Sequence, residues 1–189
     1  MALGPTFSSY GNAASCGGNC GLPTSTSGVS LGVTHWVAPR VGIGVAVDVN
    51  SFVRGRQRVV LPTGFLESNA EHQDVLLSAM AKWAVRRHAS VASLIVVGGL
   101  GVVHRDTVRE QALGIIDGAT VRRPPEESIA WRPSITVGLE APYRLHHRVA
   151  LVPSVRAHRF FDDERDAQIP RRAIGNVMAT VGVSVALWF

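Results

Sequence analysis

Strict two-residue alternation is the dominant pattern along this chain, and it is clearest at the C-terminus. Between residues 177 and 189 one parity is apolar and the other is mostly small or polar. The apolar parity comprises Val177, Ala179, Val181, Val183, Val185, Leu187 and Phe189. Because successive side chains of a β-strand point to opposite faces, the pattern predicts a long strand with one apolar face.

The same alternation recurs upstream and completes a set of eight predicted strands. The clear segments are residues 28–38, 41–52, 74–86, 129–143 and 148–160. Residues 90–104 alternate less regularly. A helix of that length is too short to span a membrane and is weakened by Gly98, Gly99 and Gly101, so we favour a strand. Residues 3–12 form the weakest predicted strand.

The connections between these strands alternate in length. The short ones are residues 39–40, 87–89 and 145–147, and the long polar ones are about residues 11–27, 53–73, 105–127 and 160–175. Strictly alternating short and long connections place all short turns at one end of an up-and-down sheet. All long loops then lie at the opposite end.

The composition is too apolar for an ordinary soluble domain. Of the 189 residues, 46% are hydrophobic and only 17% are charged, and the mean hydropathy is +0.17. This excludes a disordered chain, and no run reaches the ~18 apolar residues of a membrane-spanning helix. A closed β-barrel satisfies its backbone within a bilayer while dispersing apolar residues by alternation. Residues 1–189 are expected to form one such domain, too short for a large porin.

The chain is strongly basic, with a net charge of +5 and a pI near 10.2. These residues are dispersed rather than clustered, and no RNA-binding or zinc motif accompanies them, so no nucleic-acid partner is expected. Guanidinium groups bind phosphates bidentately, so loop arginines are expected to contact anionic surface lipid such as lipopolysaccharide. They are Arg54, Arg56, Arg58, Arg122, Arg123, Arg171 and Arg172.

The terminal strand carries the resemblance to a known family. Phe189 is the last residue and follows Leu187 and Val185 at alternate positions. In this respect the chain resembles the small eight-stranded outer-membrane β-barrels, the OmpA transmembrane domain and OmpX-like proteins. In that family the barrel assembly machinery reads such a terminal signal. Leu187 departs from the pattern, because an aromatic residue is common there.

The resemblance implies an all-β, eight-stranded antiparallel up-and-down transmembrane barrel in the bacterial outer membrane. Its turns are short on the periplasmic side and its four longer loops are extracellular. A monomer is expected. The chain shows no signal peptide, so we expect it to be a mature or trimmed form.

Aromatic and charged side chains fit this arrangement. Trp83 and Tyr143 near the short turns, and Trp131 and Phe161 near the long loops, are expected to form two aromatic girdles. Side chains on the non-lipid parity are expected to form a lumen salt-bridge network. Its predicted pairs are Asp48–Arg156 and, nearer the periplasm, Lys82–Glu140, with Arg132 and His158 extending it upward.

The two cysteines, Cys16 and Cys20, lie in a Gly/Asn-rich stretch. A small disulfide loop is the favoured interpretation, with free thiols or a metal site as alternatives. Tetrahedral zinc needs about four ligands, and no other His or Cys is near. No metal site or other cofactor is predicted.

Three functions remain open. The favoured one is a non-enzymatic surface or structural barrel that acts through its loops. The second is a lipid-A-modifying enzyme, for which His158 and Ser134 are the best base and nucleophile, although they point inward. The third is a soluble lipocalin-like barrel with an apolar ligand inside, which would require the large apolar residues to face the lumen.

Overall fold

A computed structural model of the chain describes residues 1–10, 25–51, 53–85, 93–161 and 177–187. The described elements are all β-strands. They are β1 (Ala2–Tyr10), β2 (Ser25–Ala38), β3 (Val41–Asn50), β4 (Val53–Leu61), β5 (Gly64–Ala84), β6 (Ile95–Arg109), β7 (Ala112–Ile116), β8 (Ala119–Arg123), β9 (Glu126–Glu140), β10 (Tyr143–His146), β11 (Val149–Phe160) and β12 (Val177–Leu187). Within these ranges, no helix is long and apolar enough to cross a membrane.

Eight of the strands close into an antiparallel barrel. Neighbours run in the order β3, β2, β1, β12, β11, β9, β6 and β5, and pairing between β3 and β5 completes the circle. Chain ends meet where β1 pairs with β12, as in Phe7 opposite Val181. Closure leaves none of the eight strands with an unpaired edge along the barrel wall, which is the condition for a sheet in hydrocarbon.

The large apolar parity faces outward. Val45, Leu100 and Val183 are exposed on the outer surface, whereas Ala46 and Val97 on the other parity are buried in the lumen. This arrangement is the reverse of a lipocalin-like barrel, whose large apolar side chains line the interior. The alternation read from the sequence therefore corresponds to an apolar exterior and a lumen of small, polar and charged side chains with some apolar filling.

Two of the predicted long loops are instead largely β-structure, which corrects the sequence expectation. Residues 53–73 form β4 and the first part of β5, and residues 105–127 include the end of β6, all of β7 and β8, and the start of β9. β5 pairs with β4 and β7 beyond the point where it leaves β3. These strands lack a long one-sided apolar alternation, because a projecting hairpin has no large core to cover one of its faces.

A two-residue turn at Asp117 and Gly118 shows why the β7–β8 hairpin forms. Both residues have positive φ, 52° and 75°. This conformation suits the right-handed twist of paired strands and favours Asp-Gly. We call β4, β7, β8 and the 64–72 part of β5 the hairpin extension.

The sixth predicted strand, residues 129–143, is interrupted near the short-turn end. β9 ends at Glu140, and Tyr143 begins β10, which pairs with β11. Pro142 has no backbone N–H to donate to a ladder, and the connecting turn lies at His147 and Arg148 rather than at residues 145–147. The strand predicted to start at residue 90 is described only from Ile95.

Candidate functional site

Four charged side chains meet in the lumen toward the short-turn end. Lys82 of β5, Glu140 of β9, Arg156 of β11 and Asp48 of β3 all occupy inward positions of their strands. Lys82 Nζ donates to both carboxylate oxygens of Glu140, at 2.9 and 2.7 Å. We call this group the turn-side network.

Arg156 connects the remaining members of the turn-side network. Its Nη2 donates to Glu140 Oε1 at 2.9 Å, and its Nη1 lies 3.4 Å from Asp48 Oδ1. Thus the structure places Lys82 beside Glu140 and Arg156 near Asp48, with Arg156 also bridging to Glu140. Two cations and two carboxylates balance, which is what burial of charge requires.

A second ion pair closes the lumen toward the hairpin extension, and it was missed by sequence reasoning. Arg105 of β6 binds Asp74 of β5 bidentately, with Nε to Oδ1 and Nη2 to Oδ2 both at 2.7 Å. Tyr10 donates its hydroxyl to Asp74 Oδ2 at 2.9 Å. All three side chains are buried.

Aromatic rings and amides surround this second pair. The Arg105 guanidinium lies 5.8 Å from the Tyr10 ring centroid and 5.4 Å from that of Phe160, within cation–π range. Asn50 donates to the Tyr10 hydroxyl at 3.3 Å. We call Tyr10, Asn50, Asp74, Arg105 and Phe160 the hairpin-side network. Its signal was present in the sequence as inward parity at the edges of two predicted strands.

The other two predicted network members occupy inward positions on β11 and β9. His158 is buried, and its Nδ1 hydrogen-bonds the Thr136 hydroxyl at 2.9 Å. Arg132 is half-buried on β9, opposite Val103 of β6. His158 therefore adds a buried hydrogen bond with Thr136 to the lumen side chains. The ion pair nearer the hairpin extension is Asp74–Arg105.

Below the turn-side network the lumen is hollow. A cavity of about 450 Å³ lies there, with Trp36, Met80 and Val152 among its apolar walls and Lys82 and Arg156 among its polar groups. Above the network, Leu76 and Val103 pack with Tyr10, Phe160 and Met178. Among the described residues, the lumen thus holds a cavity toward the short-turn end and is filled toward the hairpin extension.

The four predicted girdle residues are all exposed on the outer wall: Trp83, Tyr143, Trp131 and Phe161. Trp83 pairs with Val96 of β6, and Trp131 pairs with His104 of the same strand. From Val96 to His104 the strand rises about 26 Å at about 3.3 Å per residue. With the usual tilt this is about 20 Å of height, close to the ~25 Å apolar band of membrane barrels.

In the described residues, Ser134 and His158 do not form the hydrogen-bonded nucleophile–base pair expected of a lipid-A-modifying enzyme. Ser134 lies opposite Phe160 rather than His158, and its hydroxyl has no hydrogen-bond partner. His146 and His147 touch through Nε2 and Nδ1 at 3.1 Å. No group of three or more metal-ligating side chains occurs in the described ranges. Cys16, Cys20 and Phe189 lie outside those ranges, whereas Val185 and Leu187 are exposed on β12.

Comparison with known proteins extends the fold assignment. No family model matches the chain, and no curated protein matches it. Among solved structures, the attachment invasion locus protein Ail of Yersinia pestis aligns with a TM-score of 0.55 and 12% identity, covering 100% of this chain and 95% of that one. The chain has the fold of the eight-stranded outer-membrane β-barrels.

Two other solved barrels align over nearly the whole chain with lower scores. Neisserial surface protein A has a TM-score of 0.48 at 12% identity, covering 100% of this chain and 95% of that one. The N-terminal barrel domain of Pseudomonas aeruginosa OprF has a TM-score of 0.39 at 14% identity, with coverages of 97% and 96%. At such identities the likeness concerns architecture, so the function of this barrel must come from its own residues.

Proposed function

We propose that this chain is a non-enzymatic protein of the bacterial outer membrane, closed to solutes and acting at the cell surface through its hairpin extension. The observation that carries the proposal is the combination of an apolar outer wall with a lumen locked by buried ion pairs. An apolar exterior of this height suits a bilayer. An eight-stranded barrel is also narrow enough for side chains to fill.

Two buried ion-pair networks, which cross the lumen at successive levels, support closure. The turn-side network crosses the lumen through Lys82, Glu140 and Arg156, and the hairpin-side network crosses it again through Asp74 and Arg105. An ion that passed the first lock would still meet the second, which is surrounded by aromatic and aliphatic side chains. Loss of one lock alone is therefore not expected to create a conducting path.

Planar-bilayer recording tests closure. Wild-type protein and Lys82→Met are both expected to show no stable conductance steps, because the Asp74–Arg105 lock persists in the variant. The double variant Asp74→Ala/Arg105→Ala removes the other ion pair. It is likewise expected to show no stable conductance steps, because the turn-side network persists. Stable, reproducible steps from the wild-type protein would contradict the closed-lumen part of the proposal.

The surface role rests on the hairpin extension, which projects beyond the Trp131 girdle position. Arg122 and Arg123 are exposed there on β8. Guanidinium groups suit the phosphates of lipopolysaccharide, which we propose as one surface partner. Binding of the folded protein to lipopolysaccharide-containing vesicles should weaken in Arg122→Gln/Arg123→Gln and with added salt. Unchanged binding in the variant would remove this partner from the proposal.

Assembly by the outer-membrane machinery is the second proposed partnership. Exposed Val185 and Leu187 of β12 continue toward Phe189, the residue that the family resemblance marks as the signal. Phe189→Ala should reduce the yield of heat-modifiable barrel in outer membranes several-fold. The same variant refolded in detergent should reach the wild-type folded fraction, because the signal acts on the machinery and not on the barrel. Equal yields in cells would contradict this partnership.

A further inference from the structure

The lipid-facing wall is interrupted by a depression on β2, β3, β5 and β6. It spans two rows of paired residues, one of which runs from His35 through Ile43 and Ala81 to Gly98. The second row runs from Val33 through Val45 and Ala79 to Leu100. The depression has a volume of about 810 Å³.

Small side chains create the depression. Ala79, Ala81 and Gly98 occupy neighbouring outward positions and form its floor, while Ile43, Val45 and Leu100 rise around them. A Cβ added at Gly98 would meet no atom within 4 Å, so the space over this residue is open. In a bilayer such a space is filled by hydrocarbon, because leaving it empty would forfeit dispersion contacts.

A polar side chain stands at the end of this depression. On the lipid-facing parity between residues 29–37, 41–49, 75–83 and 96–102, every residue except His35 is apolar. His35 is exposed and lines the depression. An ionisable side chain on a membrane-facing wall is costly unless it meets a polar partner, and it marks a functional site by default.

The depth of His35 identifies what that polar partner is. It lies on β2 only four residues before the β2–β3 turn at residues 39–40, so in the proposed orientation it stands near the periplasmic end of the wall. At this depth the imidazole N–H can reach the glycerol ester region of lipid. Arg40, exposed in the β2–β3 turn, is placed closer to the water and carries a charge complementary to a lipid phosphate.

We propose that this depression binds one glycerophospholipid of the periplasmic leaflet. One acyl chain lies over Ala79, Ala81 and Gly98, His35 donates a hydrogen bond to an ester carbonyl, and Arg40 pairs with the phosphate. The inference rests on the membrane orientation proposed above, with the short turns facing the periplasm. It adds a defined lipid site on the outside of the wall, away from the hairpin extension.

Native mass spectrometry of the folded full chain tests the site, with 1-palmitoyl-2-oleoyl-phosphatidylethanolamine added at increasing ratios in mild detergent. Wild type should retain one lipid preferentially. Gly98→Leu, which fills the open space, should reduce retention at least tenfold. The matched control Ala157→Leu adds the same side chain at an exposed outward alanine of β11 and should retain the lipid as wild type does.

The polar part of the site has its own control. His35→Leu should weaken retention severalfold, whereas His35→Gln, which keeps an N–H donor, should restore most of it. Cold-SDS mobility of every variant is measured in parallel, so failure of barrel formation is distinguished from loss of the lipid. Equal retention by Gly98→Leu and Ala157→Leu would overturn the proposal.

Two further outcomes would also overturn it. If wild-type protein is dimeric and Gly98→Leu becomes monomeric, the depression is a contact between copies. If lipopolysaccharide displaces the phospholipid competitively, the occupant belongs to the opposite leaflet.

Discussion

Replacing Asp74 by asparagine removes a charge with almost no change in side-chain size, yet we expect it to lower the stability of the barrel strongly. In Asp74→Asn, Arg105 keeps its charge in a site where its side chain is only 3% exposed. Arg105 loses one of the two carboxylate oxygens to which it donates hydrogen bonds, both of them 2.7 Å long. The new amide N–H₂ also faces donors, those of Arg105 or the hydroxyl of Tyr10.

The expected magnitude follows from the cost of removing the carboxylate from a buried ion pair. Breaking such a pair by changing one partner costs about 3–5 kcal/mol, or roughly a thousandfold in the folding equilibrium at the middle of that range. The barrel wall itself is untouched, because Asp74 keeps its backbone pairing with Arg105. We therefore expect a folded but much less stable barrel.

Equilibrium unfolding in urea, with the protein inserted in lipid vesicles and followed by tryptophan fluorescence and cold-SDS mobility, measures this loss. Glu110→Gln is the control, since its contact with Asn69 at 2.8 Å is exposed. It should change the unfolding free energy by less than about 0.5 kcal/mol. Asp74→Leu/Arg105→Leu removes both charges and should cost less than Asp74→Asn alone. A loss below about 1 kcal/mol for Asp74→Asn would refute the reasoning.

Three other predictions follow from the wall and the hairpin extension. Leu100→Arg should destabilise the vesicle-inserted barrel by about 2–4 kcal/mol, whereas Ile115→Arg on β7 should leave urea unfolding unchanged; equal effects would mean that the apolar belt is misplaced. Gly101→Val should lower the heat-modifiable fraction on refolding, because its Cβ would collide with the Leu77 carbonyl, whereas Gly98→Val should refold normally. Gly118→Val should expose the β7–β8 hairpin to limited proteolysis, because its φ of +75° strains a branched side chain; an unchanged cleavage pattern would argue against this turn.

The barrel could be predicted from the sequence because alternation and connection length act together. Period two sets which side chains share a face, and alternating short and long connections give an up-and-down order. In β12, for example, Val181, Val183 and Val185 all face outward as the pattern required. Alternation alone could not say which face is outside, and that choice rested on the family resemblance and on loop asymmetry.

The hairpin-side network escaped prediction because it depends on register. Asp74 is the first residue of one predicted strand, and Arg105 lies just beyond the end of the next one. Only the exact pairing of β5 with β6 puts these two residues opposite each other. Register extrapolated from the predicted 87–89 turn, with residues 86 and 90 opposite each other, would instead pair Asp74 with Val102, so the ion pair could not be seen from the sequence.

The hairpin extension was missed for a different reason. Residues 53–73 and 105–127 lack one-sided apolar alternation, since no large core covers a face there. Turn chemistry was the available signal: Asp117-Gly118 favours a two-residue hairpin whatever the flanking hydrophobicity. The Pro142 interruption of the sixth strand likewise follows from a missing donor rather than from periodicity.

Spin-label accessibility along β12 in lipid vesicles tests the central claim most directly. In a Cys16→Ser/Cys20→Ser background, single nitroxides are placed at Val181, Val183, Ser184 and Val185, and collision with oxygen is compared with collision with a water-soluble nickel complex. The account predicts high oxygen accessibility at 181, 183 and 185 and a low value at 184. The opposite phase, or uniform exposure to the nickel complex, would contradict a barrel whose apolar parity faces lipid.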